Sequence, residues 1–168
     1  MNLKGHIGLT LLVLSSLMYV FDFRSYNYLL MVLLATALSS LPDIDIRLEL
    51  PHRKYTHNVF VALIVSIGFG YLTYMFLHDF SLGFTPMFAA FILHIIGDLM
   101  TYKPFKPLAP FQRRASSFRL FRSSNKYVNN GLLILGILVF SIYAIYVFLD
   151  LRITDIVTHI QRIISIIK

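Results

Sequence analysis

Cysteine is absent from all 168 residues, which excludes disulfides and thiolate ligands and leaves any metal chemistry to nitrogen and oxygen donors. Two long stretches lack charge altogether: "NVFVALIVSIGFGYLTYMFL" at 58–77 and "YVNNGLLILGILVFSIYAIYVFL" at 127–149. Acidic residues are missing from 101–129. No internal repeat and no linker marks a second domain, and no HExxH pattern occurs, which excludes a zincin helix. What fills the chain instead is apolar. Hydrophobic residues make up 57% and the mean hydropathy is +0.72, against an apolar share of roughly 45–50% in ordinary soluble domains.

These features predict an all-α, polytopic integral membrane bundle. The stretches 58–77 and 127–149 are each long enough for a hydrocarbon core that needs about 20 apolar residues. A third, 80–97, qualifies if Pro86 lies in its first turns, where a missing N–H matters little. Residues 7–21 and 26–41 are shorter apolar runs, tilted or flanked by snorkelling Lys4, His6 and Arg24. Lys4 is the sole early charge and no small-residue cleavage pattern follows, so the first run is expected to persist as a mature helix rather than act as a signal peptide. The count is about five transmembrane helices, the first two short. The tail "RITDIVTHIQRIISIIK" repeats isoleucine and valine at three- and four-residue steps, as an amphipathic interfacial helix does. The domain reading is therefore 1–150 as a single membrane-embedded metal-binding helical domain with a basic loop at 101–129, followed by an interfacial helix at 151–168.

The basic loop orients the chain. Lys103, Lys106, Arg113, Arg114, Arg119, Arg122 and Lys126 place 101–129 in the cytoplasm by the positive-inside rule, and counting crossings puts the N-terminus and residues 42–57 there too. Eleven of the fifteen Lys and Arg then face the cytoplasm. His6, Asp43, Asp45, His52, His57, His94 and Asp98, none of which entered that count, all fall on the same side of the cell membrane.

Their spacing carries chemistry. "HIIGD" sets His94 and Asp98 one turn apart on a helix face, which suits a shared metal or a plain hydrogen-bonded pair. In "PDID", Pro42 disfavours helix at Leu41, and an extended segment projects Asp43 and Asp45 to one side, where two carboxylates repel unless a cation intervenes; a capped, solvated loop with Asp43 starting a helix is the alternative. "HRKYTH" separates His52 and His57 by five residues, and it also suits a headgroup contact. Together, four His and three Asp supply donors for two or three divalent ions, zinc foremost, with manganese or iron as alternatives. Ionisable groups at membrane depth cost about 2.5–3.5 kcal/mol each and mark function. Three carboxylates against two divalent ions leave about one positive charge, which favours a phosphate oxygen. Asp43, Asp45 and Arg53 are expected to carry catalysis, Arg53 and Lys54 to bind phosphate or anionic lipid, and Thr56, Asn58 and Thr101 to orient ligands from behind, Asn58 also capping the next helix.

The chain resembles the bacterial and archaeal membrane-bound metal-dependent hydrolases first described as LexA-regulated. The resemblance rests on Gly5-His6, "LPDID" at 41–45, "HRKYTH" at 52–57, and "HIIGD" at 94–98 followed by Thr101. It departs at Asn58, where a small hydroxyl residue is usual, and at "TYKPFKP", where a Gly-containing turn is usual. It implies a helical membrane protein holding divalent metal through those His and Asp side chains, with distant kinship to zinc-dependent phospholipases C and single-strand nucleases. The function expected is hydrolysis of a phosphoester on a lipid or lipid-linked substrate, with membrane lipids as partners. The basic, Phe-rich loop is expected to lie on anionic headgroups; single-stranded nucleic acid is the lesser alternative. A metal-binding sensor, store or transporter and a plain membrane scaffold are the competing classes. The sequence leaves the oligomeric state open.

Overall fold

The computed structural model describes residues 1–47, 49, 53 and 56–167, with the backbone alone at 46, 47 and 151–167. It is helical throughout: α1 Leu3–Val20, α2 Tyr26–Leu38, a 3-10 turn Leu41–Asp43, α3 Ile44–Arg47, α4 Val59–Leu77, α5 Phe80–Leu99 and α6 Lys126–Ile167. Among the described residues there is no strand, only isolated bridges pairing Thr101 with Phe121 and Phe105 with Ser116.

Short polar side chains start the long helices. Asn2, Ser25, Asn58 and Asp79 each accept a hydrogen bond from a main-chain N–H two or three residues on, relieving donors that the first turn leaves without partners. Pro86 lies at the end of the second turn of α5, so it removes one helical hydrogen bond rather than falling among the donors that are free in any case. Hydroxyls inside the apolar helices fold back on their own chain, Ser66 onto the Ala62 carbonyl at 2.6 Å and Ser141 onto that of Ile137 at 2.9 Å. In lipid that is how a polar group finds a partner.

Among the described residues four helices are long and apolar enough to cross a membrane: α1, α4, α5 and the Lys126–Asp150 part of α6. Half of the α5 window is buried but only 17% of those of α4 and α6, so α5 is the central helix and the other two face lipid with residues such as Ile64, Phe76, Ile134 and Ile145. α1 and α6 run parallel and very close. A Cβ on Gly8 would strike the Leu132 main chain, and one on Gly136 the Gly8 carbonyl, so both positions need glycine for small-residue helix packing. The backbone of α6 is helical without a break from Lys126 to Ile167, through the expected boundary at 151. The charges of Asp150 and Arg152 mark a change of surroundings but do not stop a helix, and no Gly or Pro follows Gly136 to do so.

The length of α2 positions the site. Thirteen residues at 1.5 Å each reach about 20 Å, short of the roughly 30 Å hydrocarbon core. α2 starts at the end of the bundle where Arg24 meets Asp150 at 2.8 Å and stops where the Ser39 carbonyl meets His94, more than a turn before α5 ends. The polar segment that follows therefore enters the bundle rather than crossing over its end, and Pro42, Asp45, Arg53 and His57 are buried.

Candidate metal centre

The segment after α2 is not extended. Pro42 sits at the start of a 3-10 turn whose N–H groups need no helical partner, and α3 continues from Ile44. Helical geometry sends Asp43 and Asp45 in different directions, correcting the expectation that they project to one side. Asp43 turns toward α5. Asp45 turns back onto its own loop, where one of its oxygens accepts from the Arg53 main-chain N–H at 3.1 Å and the Thr56 hydroxyl at 2.8 Å.

Asp43, His57, His94 and Asp98 each bring one donor atom into a group in which all four lie within 4.8 Å of one another. His57 Nε2 is 3.0 Å from His94 Nε2, 3.3 Å from Asp43 Oδ1 and 3.2 Å from Asp98 Oδ2; His94 Nε2 is 3.4 Å from Asp43 Oδ1. Donors around a tetrahedral ion with bonds of 2.0–2.1 Å are about 3.3 Å apart. His57 and His94 are wholly buried and Asp98 nearly so, with Asp43, 24% exposed, as the solvent-side member.

Hydrogen-bond partners decide which imidazole nitrogen faces inward. His94 Nδ1 lies 2.7 Å from the Ser39 carbonyl, which can only accept, so Nδ1 carries the proton and Nε2 a lone pair. Thr56 gives its single hydroxyl proton to Asp45 and so accepts from His57 Nδ1 at 2.9 Å, which turns Nε2 toward Asp43, His94 and Asp98. Two lone pairs facing each other at 3.0 Å repel unless a proton or a metal ion lies between them. Burial opposes charge on His57, but Asp43 and Asp98 outweigh it and raise its pKa, so the group favours positive charge at Nε2, which a proton or a metal ion supplies. Burial likewise opposes charge on Asp43, yet His57 and His94 hold it well below the usual carboxylate range. The donor set fits a divalent metal, with its imidazoles aimed by a carbonyl and by a carboxylate–threonine pair.

Other predicted residues surround this group. His6 stacks on His94, ring centroids 3.7 Å apart and planes 7° off parallel; its Nε2 is 3.5 Å from Asp98 Oδ1 and neither ring nitrogen has a hydrogen bond. The Met1 α-amine rests on the same Asp98 oxygen. Arg53, in the left-handed region at φ 65°, donates through Nη1 to Thr101 Oγ1 at 3.2 Å and to the Lys103 carbonyl at 3.0 Å, and its Nε is 2.8 Å from Asp98 Oδ2 without pointing a hydrogen at it. Thr101 ties Arg53 to the end of α5 by donating to the Asp98 carbonyl at 2.8 Å. Asn58 caps α4 and donates to the Ala109 carbonyl at 2.7 Å. His52 and Lys54 lie outside the described residues. Ser39 escaped the sequence reading, because a main-chain carbonyl acting on a distant histidine leaves no side-chain signal.

Apolar helices around a buried His and Asp group define a helical membrane protein with a candidate metal site. A match to the family described as YdjM inner membrane protein covers residues 1–157, and the chain belongs to that family. It is the family to which the LexA-regulated resemblance pointed, but its description names an inner membrane protein and no hydrolase. The match thus corrects the hydrolase part of the resemblance, and the kinship with zinc-dependent phospholipases C and single-strand nucleases is dropped. No curated protein and no solved structure matches the chain.

Proposed function

We propose that this membrane protein binds a divalent metal, zinc foremost, through Asp43, His57, His94 and Asp98, and uses it to hydrolyse a phosphoester on a lipid or lipid-linked substrate at the cytoplasmic face. The observation that carries the reading is the convergence of Asp43, His57, His94 and Asp98, whose donor atoms lie within 4.8 Å of one another with the two Nε2 atoms 3.0 Å apart. When bound, such an ion polarises a phosphoryl oxygen and acidifies water. The chain supplies the rest. Ser39 and the Asp45–Thr56 pair fix the imidazoles, Arg53 sets a guanidinium beside Asp98 where a phosphate would be countered, and partly exposed Asp43 leaves one side of the group approachable. His6, with both ring nitrogens unpartnered beside Asp98, is the residue through which a second ion would be held.

Release of phosphate or phosphorylated headgroup from mixed-lipid nanodiscs loaded with zinc or manganese tests this. Turnover that disappears in Asp43→Asn and Asp98→Asn supports it; turnover that ignores both substitutions rules it out. Ligand count favours a second reading, because four protein donors fill a tetrahedron as they do in structural sites. A stoichiometric metal with no turnover on any phosphoester would establish a non-catalytic metal-binding protein, a store or sensor.

A further inference from the structure

Between the first turn of α4 and the chain after α5 lies a cavity of about 630 Å³, inside the roughly 300–1,000 Å³ range of small-ligand sites. Val61, Phe105, Ala109, Pro110 and Ala115 give it apolar walls; among the described residues its charged lining is Arg53, Lys103 and Lys106, with no carboxylate. The arch over it is fastened at three places. The Val59 N–H donates to the Pro107 carbonyl at 2.9 Å, Asn58 donates to the Ala109 carbonyl at 2.7 Å, and Ser116 donates to the Phe105 carbonyl at 2.9 Å.

Arg53 and Phe105 join this cavity to the metal group. Arg53 lines the cavity and also reaches Asp98 with its Nε, while its guanidinium carbon lies 5.7 Å from the centre of the Phe105 ring. That ring in turn meets His57 edge-on at 5.9 Å. Outside, Phe60 and Phe111 pair at 5.3 Å, both exposed, and extend the apolar surface toward the lipid face of α4. Apolar walls with Arg53, Lys103 and Lys106, and no acid among the described lining residues, complement a molecule that is apolar along its length and anionic at its head.

We infer that this cavity takes the apolar chain of an anionic lipid amphiphile from the surrounding leaflet, with Arg53 anchoring its phosphate headgroup at the edge of the metal group. The inference rests on the phosphoester reading and deepens it by naming the substrate class and the chain-binding residues. Arg53 would then touch both headgroup and metal group, while Lys103 and Lys106 hold charge at the rim.

The chain contains no tryptophan, so Ala115→Trp at the cavity supplies a single fluorophore. The full-length Ala115→Trp protein, zinc-loaded in phosphatidylcholine nanodiscs, is titrated with chain-brominated hexadecyl phosphate and, separately, with the trimethylammonium amphiphile of the same chain. Quenching by the phosphate is expected to saturate, to need about tenfold more ligand when Arg53→Gln is added, and to lose its saturable part when Val61→Phe fills the cavity. The cationic amphiphile is expected to give only the linear quenching of membrane partition. Equal quenching by both amphiphiles, or saturable quenching that survives Val61→Phe, overturns the inference. Val61 lies outside the metal group, so zinc content separates the two claims. Zinc retained without saturable quenching defeats the cavity alone; saturable, phosphate-selective quenching in protein that holds no zinc defeats the metal reading alone.

Discussion

At one end of the bundle, where α1 turns into α2, Arg24 pairs with Asp22 at 2.5 and 2.8 Å and with Asp150 at 2.8 Å, and Tyr146 donates to Asp22 at 2.5 Å. At the other end, Asp43, His57, His94 and Asp98 converge. Both clusters join distant segments, yet they are built differently. Side-chain exposure is 57% for Asp22 and 40% for Arg24, so water shares their charge and the pairing is a surface clamp worth little. His57, His94 and Asp98 are at most 1% exposed, and with Asp43 they bring nitrogen and carboxylate donors within 4.8 Å of one another. Gathering buried ionisable groups this closely is costly to a fold. The contrast marks the buried end as a site for something the protein binds, and the exposed end as a fastening.

Substitutions sharpen that contrast in descending order. Asp98→Asn or His94→Ala removes a donor from the buried group and is expected to reduce metal affinity by more than about a hundredfold, read by competition with a chromogenic chelator. Asp45→Asn, which loosens the aim of His57 without removing a donor, is expected to weaken metal by about ten- to a hundredfold in the same assay. Acidification from pH 8 to pH 5 is expected to release metal progressively, because the imidazoles must be unprotonated to bind; metal content after dialysis checks it. Arg24→Ala is expected to lower the melting temperature by a few degrees at most and to leave metal content unchanged. Hydrogen bonds from Arg24, then Tyr146, hold the Asp22 pKa below its ordinary value. The small stabilisation is therefore present at neutral pH and fades as pH falls below the usual carboxylate range, where the variant and the parent should melt alike.

Much of the architecture was legible because apolar length is written locally. The charge-free stretches 58–77 and 127–149 became α4 and the membrane-length part of α6, and "HIIGD" put His94 and Asp98 on one face of α5. What stayed hidden depends on where chains end and meet. Nothing local reveals that α2 stops short and lets Pro42, Asp45, Arg53 and His57 enter the bundle, or that the turn after Pro42 separates Asp43 from Asp45. Arg53 was picked out as a phosphate ligand, but its span from Asp98 to the arch at 103–115 comes from contacts some fifty residues apart in sequence. The cavity has no motif at all, because bonds from the Asn58 side chain and the Val59 N–H to the carbonyls of Ala109 and Pro107 build it. The stacking of His6 on His94 likewise follows from the packing of α1 against α5.

Elemental mass spectrometry on untagged protein tests the central claim most directly, comparing the parent with folded Asp98→Asn, His94→Ala and Asp22→Asn variants after reconstitution with zinc, manganese and iron. The account predicts at least one divalent ion per chain in the parent and in Asp22→Asn, and none in the other two. A parent that holds no metal, or an Asp98→Asn variant that holds as much as the parent, would contradict it.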